Sequence, residues 1–337
     1  MHGIGIIGAG SIATAHMRAA AELESTRLVA AADTDPERLA EACAAHGCQG
    51  FDDYRNLLSC GEVDIVIVCT PHGLHCEQTV AALEAGKDVL VEKPMAVNVE
   101  QCDAMIAAAH RAGKQLSVGH MHHFHPANMA VGKLLEERAL GDLVCLCDEG
   151  YRPFVPERQA WYLDKATHGG LWYQNGVHLI DRSCWWTGSR VAAVKALVDS
   201  RFFEFSADDV AMAMLQFENG VYSTLIHVWW KTGGRRFSTE FVCTEGMIQL
   251  RNGIESNNDD LFIARDETGN WEKVEVPETC DVTTRQLEEF VASVDAGTEP
   301  PVTGEYGRHV VEVMSACMES SRSGREVVLP ARGSGIS

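Results

Sequence analysis

Gly3-Ile4-Gly5-Ile6-Ile7-Gly8-Ala9-Gly10-Ser11-Ile12-Ala13 runs a short apolar strand directly into a glycine turn and a helix start. The last six residues have the form G-x-G-x-x-A. Gly8 permits the tight turn, Gly10 lets the backbone approach a pyrophosphate, and Ala13 allows close helix–strand packing. The free N–H groups and positive dipole end of the helix that follows suit phosphate oxygens. The next apolar run, residues 27–32, ends in Asp33, twenty residues beyond Ala13, where a carboxylate takes both hydroxyls of a ribose. That carboxylate repels a 2′-phosphate, and Thr34 follows it rather than an arginine, so NAD is expected over NADP. Arg38, on the next helix, softens the preference.

Outward from this motif, short uncharged runs at 3–7, 27–32, 63–69, 88–91 and 115–119 alternate with helical stretches at 12–23, 36–46, 74–85 and 99–112. Asp35-Pro36 marks a helix start, and Gly47 and Gly86 mark helix ends. Continuous apolar strands separated by helices predict a parallel sheet buried on both faces, a doubly wound α/β domain spanning 1–121. Beyond it the pattern changes. Helices are expected at 126–138 and 170–186, and successive strands at 143–151, 192–199, 209–217, 221–231, 236–243, 247–250 and 271–276. Asn219-Gly220 signals a two-residue hairpin, and Thr244-Glu245-Gly246 a second turn. With closing helices at 283–296 and 304–323, residues 122–337 read as an α+β domain with an open, mostly antiparallel sheet.

The chain has 337 residues, 28 Lys+Arg and 48 Asp+Glu, a net charge of −20. Such a charge repels phosphate backbones and anionic headgroups, so neither nucleic acid nor a membrane surface is an expected partner. The apolar runs are strand-length, far short of the ~20 residues of a spanning helix. The first residues lack a basic leader and a cleavage site. Twelve cysteines lie scattered within apolar stretches, which fits reduced thiols. The expectation is a cytoplasmic protein with a small-molecule substrate.

The fifth strand ends in Val91-Glu92-Lys93-Pro94. Together with residues 8–13, this resembles the glucose–fructose oxidoreductase/inositol dehydrogenase (Gfo/Idh/MocA) family, marked by E-K-P at this place. Cys69-Thr70-Pro71-His72-Gly73-Leu74-His75 resembles the family's T-P-N-x-x-H turn, with His72 for Asn. Gly169-Gly170 followed by Gly176-Val177-His178-Leu179-Ile180-Asp181 resembles its G-G-x-x-x-D-x-G-x-H-x-x-D helix. The resemblance covers nearly the whole chain. It implies a Rossmann domain followed by an open-sheet α/β domain, and a homodimer or homotetramer formed through that sheet. The implied reaction is hydride transfer between nicotinamide and a secondary alcohol or carbonyl of a sugar, cyclitol or related polyol. Implied cofactor contacts are Gly8, Gly10, Ser11, Ile12, Asp33, Thr70, Pro71, His72, His75, Glu92 and Lys93.

Oxidising an alcohol requires a base and a positive charge beside the developing alkoxide. Lys93 is assigned the second task, with a cis bond before Pro94 fixing its direction, and His178 is assigned the first. Members of the sugar and inositol branch carry Asp four residues before that histidine; here it is Gln174, a third catalytic residue that can hold a substrate hydroxyl or orient the imidazole but cannot share a proton. The departure leaves Lys93–His178 as a dyad and opens alternatives: a dihydrodiol or aromatic-pathway dehydrogenase, a redox-neutral NAD-dependent glycosidase, or a non-catalytic dinucleotide sensor. Expected substrate-side residues are His122, His123, Arg152, Trp161, Lys165, Trp172 and Asn175. The cluster His120, His122, His123 and His125 lacks a cysteine or carboxylate at ligand spacing, so polar lining is expected there and no metal.

Overall fold

The computed structural model describes residues 1–154, 160–251, 260–265, 268–276 and 281–330. The chain divides into two compact units, Met1–Met121 with Cys280–Val311, and His122–Thr279 with Glu312–Ser337.

In the first unit, β1 (His2–Ile7) leads into α1 (Ser11–Glu22), then β2 (Thr26–Ala32), α2 (Pro36–His46), β3 (Gln49–Phe51), α3 (Tyr54–Leu58), β4 (Ile65–Val68), α4 (His75–Glu84), β5 (Asp88–Glu92), α5 (Val99–Ala112) and β6 (Leu116–Gly119). The strands form one sheet in the order β3-β2-β1-β4-β5-β6, parallel at every pairing. Its central strands are buried on both faces, as the uncharged runs require. Ile4, Ile6, Ile65 and Ile67 pack toward α1, while the backbone of Gly5 lies against Leu57 of α3. The Asp35 side chain caps α2 by accepting from the N–H groups of Glu37 and Arg38, and Gly47 ends that helix in the left-handed conformation. The short β3 and α3 carry too few residues to show a period and do not stand out in the sequence.

The second unit follows with α6 (Pro126–Glu136), β7 (Leu143–Pro153), α7 (Val177–Thr187), β8 (Val191–Asp199), β9 (Val210–Phe217), β10 (Tyr222–Trp230), β11 (Arg236–Cys243), β12 (Gly246–Arg251), β13 (Asp260–Ala264) and β14 (Glu272–Val274); after α8 (Val282–Ala296) and α9 (Gly304–Ser323) comes β15 (Val327–Val328). Nine strands form a sheet in the order β14-β13-β12-β11-β7-β10-β9-β8-β15. The β7–β10 pair is parallel and the others are antiparallel. Asn219-Gly220 lies in the turn from β9 to β10, but the loop is the three residues Glu218-Asn219-Gly220 rather than the two expected: the Phe217 N–H donates to the Val221 carbonyl at 2.9 Å and Gly220 takes φ 88°; Thr244-Glu245 joins β11 to β12. One face packs on α6 and α7 through Val131, Leu146, Trp186 and Phe241. The other face exposes Leu197, Met212, Met214 and Tyr222.

The boundary expected at 121/122 needs one correction. Residues 281–311 pack with the first unit, not the second. Leu287, Phe290 and Val291 of α8 enter the same core as Ala13, Met17 and Ala20 of α1. The N–H of Val118 donates to the Val302 carbonyl at 3.1 Å, and Arg308 pairs with Asp103 at 2.5 Å. The apolar stripe of α8 thus has its partner nearly three hundred residues earlier, a match that local periodicity does not reveal. Among the described residues all eleven cysteines are free thiols, and no helix is long and apolar enough to cross a membrane.

Phe290 is fully buried, so Phe290→Ala is expected to destabilise the first unit by about 3–5 kcal/mol. Urea unfolding followed by circular dichroism measures this, and a loss comparable to an exposed substitution would contradict the packing role.

Candidate active site

In the first unit, the turn after β1 is shaped for a dinucleotide. Gly8 has φ 93°, and a Cβ there would stand 2.9 Å from the Cys69 carbonyl carbon and from Thr70 Cγ2, so glycine is required on both counts. At Gly10 a Cβ would meet nothing within 4 Å; the backbone there borders open space. Gly10 is also the N-cap of α1, with no side chain capping the helix, and Ser11 and Ile12 begin that helix. Asp33 completes the pattern. Its Oδ2 accepts from the Ala9 N–H at 2.7 Å and its Oδ1 from the Asp35 N–H at 2.9 Å. The carboxylate is therefore fixed beside the glycine turn, with lone pairs remaining for ribose hydroxyls. Arg38 lies 3.6 Å from Asp33 and 3.2 Å from Asp35. These residues fit NAD, whose pyrophosphate would meet the uncapped helix start and whose ribose would meet Asp33.

Further along the sheet edge, Thr70 donates its hydroxyl proton to Gln78 at 2.5 Å, and His72 is buried in the short turn after Pro71. His75 is fully buried, with Nδ1 2.9 Å from the Pro94 carbonyl oxygen and Nε2 2.8 Å from that of Thr70. Burial lowers its basicity, against the opposing pull of the two carbonyls and Glu92. It ties the Thr70 turn to the Lys93–Pro94 peptide, which is cis as expected. Glu92 is buried against His16 at 2.8 Å. Burial alone would raise its carboxyl, but the His16 bond and the charges of His16, Lys93 and His75 outweigh that and hold it below the usual range. Its Oε2 also accepts from the Lys93 N–H at 3.2 Å. Lys93 thus emerges from a backbone held on both sides.

In the second unit the site helix has two windings. Trp172–Gly176 is a π turn leading directly into α7. A π turn takes one more residue than an α turn, so the α-helical rule aligning Gln174 with His178 does not carry over unchanged. Gly176 is needed because a Cβ would collide with the Trp172 ring. The helix start is capped from a distant loop: Asp208 accepts from the Trp172 N–H at 2.7 Å and its carbonyl accepts from the Leu171 N–H at 2.9 Å. Burial raises the Asp208 carboxyl to about 6 despite that hydrogen bond.

His178 is buried and stacks on His122, ring centroids 4.0 Å apart and planes 15° from parallel. The frame behind His122 is ionic. Arg182 Nη1 lies 3.2 Å from His122 Nδ1 and donates to it, because guanidinium has no acceptor; the His122 proton therefore sits on Nε2. Arg182 also donates Nε–H and Nη2–H to Asp148 at 3.1 and 2.6 Å, and Asp148 accepts from Thr239 at 3.0 Å. Asp148 and Arg182 are buried, so each needs the other.

Other expected residues fall differently. His123 spends Nε2 on Asp181 at 2.8 Å and stacks on Trp185. Trp172 requires correction: it is fully buried and its indole N–H donates to the Met314 carbonyl at 3.3 Å, so it supports the π turn from the core rather than lining a cleft. Asn175 accepts from the Trp229 indole at 3.2 Å. Trp161 leans on Tyr162, and both it and Arg152 are half-buried. Among the described residues no three His, Cys, Asp or Glu side chains group as metal ligands. Asp148, Arg182, Asp208 and His16 were not legible as site residues; the one local hint is Arg182 four positions after His178.

Residues 2–120 match the model of the oxidoreductase family with an NAD-binding Rossmann fold, and residues 129–249 match the Gfo/Idh/MocA C-terminal domain. The chain belongs to the Gfo/Idh/MocA family. As a member it is an NAD(P)-dependent oxidoreductase, with NAD the cofactor of its Rossmann domain. It is 33% identical over 232 residues to a 1-carboxy-3-chloro-3,4-dihydroxycyclohexa-1,5-diene dehydrogenase of Comamonas testosteroni, covering 66% of this chain and 57% of that one. It is 25% identical over 335 residues to a myo-inositol 2-dehydrogenase of Thermotoga maritima, covering 97% and 98%. Among solved structures, an aldose–aldose oxidoreductase of Caulobacter crescentus complexed with glycerol superposes with a TM-score of 0.88 at 27% identity, covering 97% and 99%.

Because Asp208 binds a proton more readily in the folded state than in the unfolded chain, its contribution falls as pH rises through about 4 to 6. Asp208→Asn, which keeps a capping oxygen, is expected to flatten that segment of the Tm-versus-pH curve. An unchanged slope would show that another group governs it.

Proposed function

We propose that this Gfo/Idh/MocA protein oxidises a secondary alcohol on a ring-shaped polyhydroxylated small molecule, a sugar, cyclitol or cyclic diol, with Lys93 and His178 as the proton-handling pair. The observation that carries the reading is the buried imidazole of His178, held flat against a neutral His122. Bound NAD supplies the acceptor for the hydride leaving the carbinol carbon. His178 takes the hydroxyl proton, and the Lys93 ammonium stabilises the oxygen as it becomes alkoxide-like. A ring whose orientation is fixed in advance pays less ordering entropy when substrate arrives. The named substrates of the Comamonas and Thermotoga relatives support cyclic diols and inositols as the first compounds to assay.

His178→Ala is expected to lower kcat by ~10²–10⁴-fold while NAD affinity stays within about threefold, and Lys93→Met to lower kcat comparably. NADH absorbance with a cyclic-polyol panel and calorimetric NAD titration measure the two effects. Full turnover without His178 would overturn its role.

We also propose a homodimer or homotetramer through the open face of the nine-stranded sheet. Met214 there is 60% exposed and Tyr222 53%, an apolar surface of the kind that marks interfaces. Met214→Glu is expected to shift the mass measured by light scattering toward the monomer; a monomeric parent protein would refute the assignment.

A further inference from the structure

At the end of α2 the chain turns back on itself. Gly47, at φ 68°, donates its N–H to the Cys43 carbonyl at 2.8 Å, and a left-handed end of this kind folds the following residue over the last helical turn. That residue is Cys48, whose S–H donates to the Cys43 sulfur at 3.8 Å. Such an end ordinarily closes with an apolar contact; here it closes with two thiols. Gly50 makes room for them, since a Cβ there would stand 3.0 Å from the Cys43 sulfur. Both cysteines are half-buried free thiols, open to a small solute as well as to each other.

The pair joins two lightly held elements at the edge that presents Asp33. β3 is three residues long and lies outermost in the parallel sheet, and α2 buries none of its residues completely; elements with so little burial open most readily. Both nevertheless hold Asp33. Its N–H donates to the Phe51 carbonyl of β3 at 3.2 Å, and its Oδ1 accepts from the Asp35 N–H, at the cap of α2, at 2.9 Å. Residues 33–51 thus form a loop closed at Asp33 and pinched at Cys43 and Cys48.

We propose that Cys43 and Cys48 are a redox modification site: exchange with a low-molecular-weight disulfide links them reversibly and braces α2 against β3. The sulfurs must close to about 2.05 Å, and Gly47, with nothing within 4 Å of where a Cβ would stand, leaves the turn free to adjust. The Cys43 thiolate attacks one sulfur of the small disulfide, whose S–S bond breaks, and the departing thiolate takes up the proton that Cys43 released. Cys48 then releases its proton and attacks the Cys43 sulfur, expelling the second small thiol. Two protein thiols are oxidised, and one small disulfide is reduced to two thiols. Burial first, then the charge and hydrogen bond of Cys43, push the Cys48 thiol up to about 12, which makes Cys43 the attacking sulfur. The last two influences vanish once Cys43 is in the mixed disulfide, so Cys48 ionises more easily at the step that needs it.

The test incubates the full chain in a series of oxidised-to-reduced glutathione ratios and maps its thiols by peptide mass spectrometry. The expected product is a Cys43–Cys48 link, two hydrogen atoms lighter, which reduced glutathione reverses; Cys48→Ser should instead trap glutathione on Cys43. Two unmodified thiols at every ratio, or lasting glutathione adducts on the parent protein without the link, overturn the proposal. The brace is read separately by amide hydrogen exchange. Residues 36–51 are expected to exchange at least about fivefold more slowly in the oxidised protein, with NAD affinity within about threefold of the reduced form, and Cys43→Ser to show no response to oxidant in this segment. Unchanged exchange once the link has formed, or loss of NAD binding on oxidation, overturns the bracing role.

Discussion

A buried ion pair ties the middle of the nine-stranded sheet to the helix that carries His178. Taking a guanidinium and a carboxylate out of water costs several kcal/mol for each ion unless they meet in good geometry. Asp148 and Arg182 meet through two hydrogen bonds, with Thr239 satisfying the second carboxylate oxygen. The geometry around His178 follows from that pairing. The remaining arm of Arg182 sets the tautomer of His122, and the flat face of His122 sets the plane of His178. Removing either ion would strand the other in the interior, so the arrangement admits few intermediate states.

The first unit solves a comparable problem with different chemistry. Glu92 is buried at the end of β5, yet His16, His75 and the adjacent lysine keep it ionised. The lysine backbone is held by that carboxylate on one side and, through Pro94, by His75 on the other. Both units therefore hold a side chain or a stretch of backbone in place by charge-assisted contacts. In each, a buried histidine serves as a strut.

What could be read from the sequence divides by the range of the underlying interaction. The Gly8 turn, Asp33, the Asp35 cap and the Asn219-Gly220 hairpin depend on residues within a few positions of one another, and each stands where its local chemistry places it. The π turn does not announce itself, because no local pattern in Trp172–Gly176 distinguishes it from an α turn; only the structure shows the Trp172 ring where a Cβ of residue 176 would stand. Trp172 looks like a lining residue for the same reason: a tryptophan beside a functional helix gives no local sign of which way it faces. Arg182 and Asp148 are thirty-four residues apart and read singly as a surface arginine and a strand aspartate. The docking of α8 is the most distant case, since an amphipathic stripe declares that it must be covered but not by what.

That docking has a consequence for how the protein is made. The core around α1 lacks Leu287, Phe290 and Val291 until those residues have been synthesised. On the ribosome, the nucleotide-binding unit must wait through production of the entire nine-stranded sheet, except its last short strand, before its own interior can close. The second unit, begun later, needs Glu312–Ser337 as well, so both interiors stay open until the last helices of the chain have emerged.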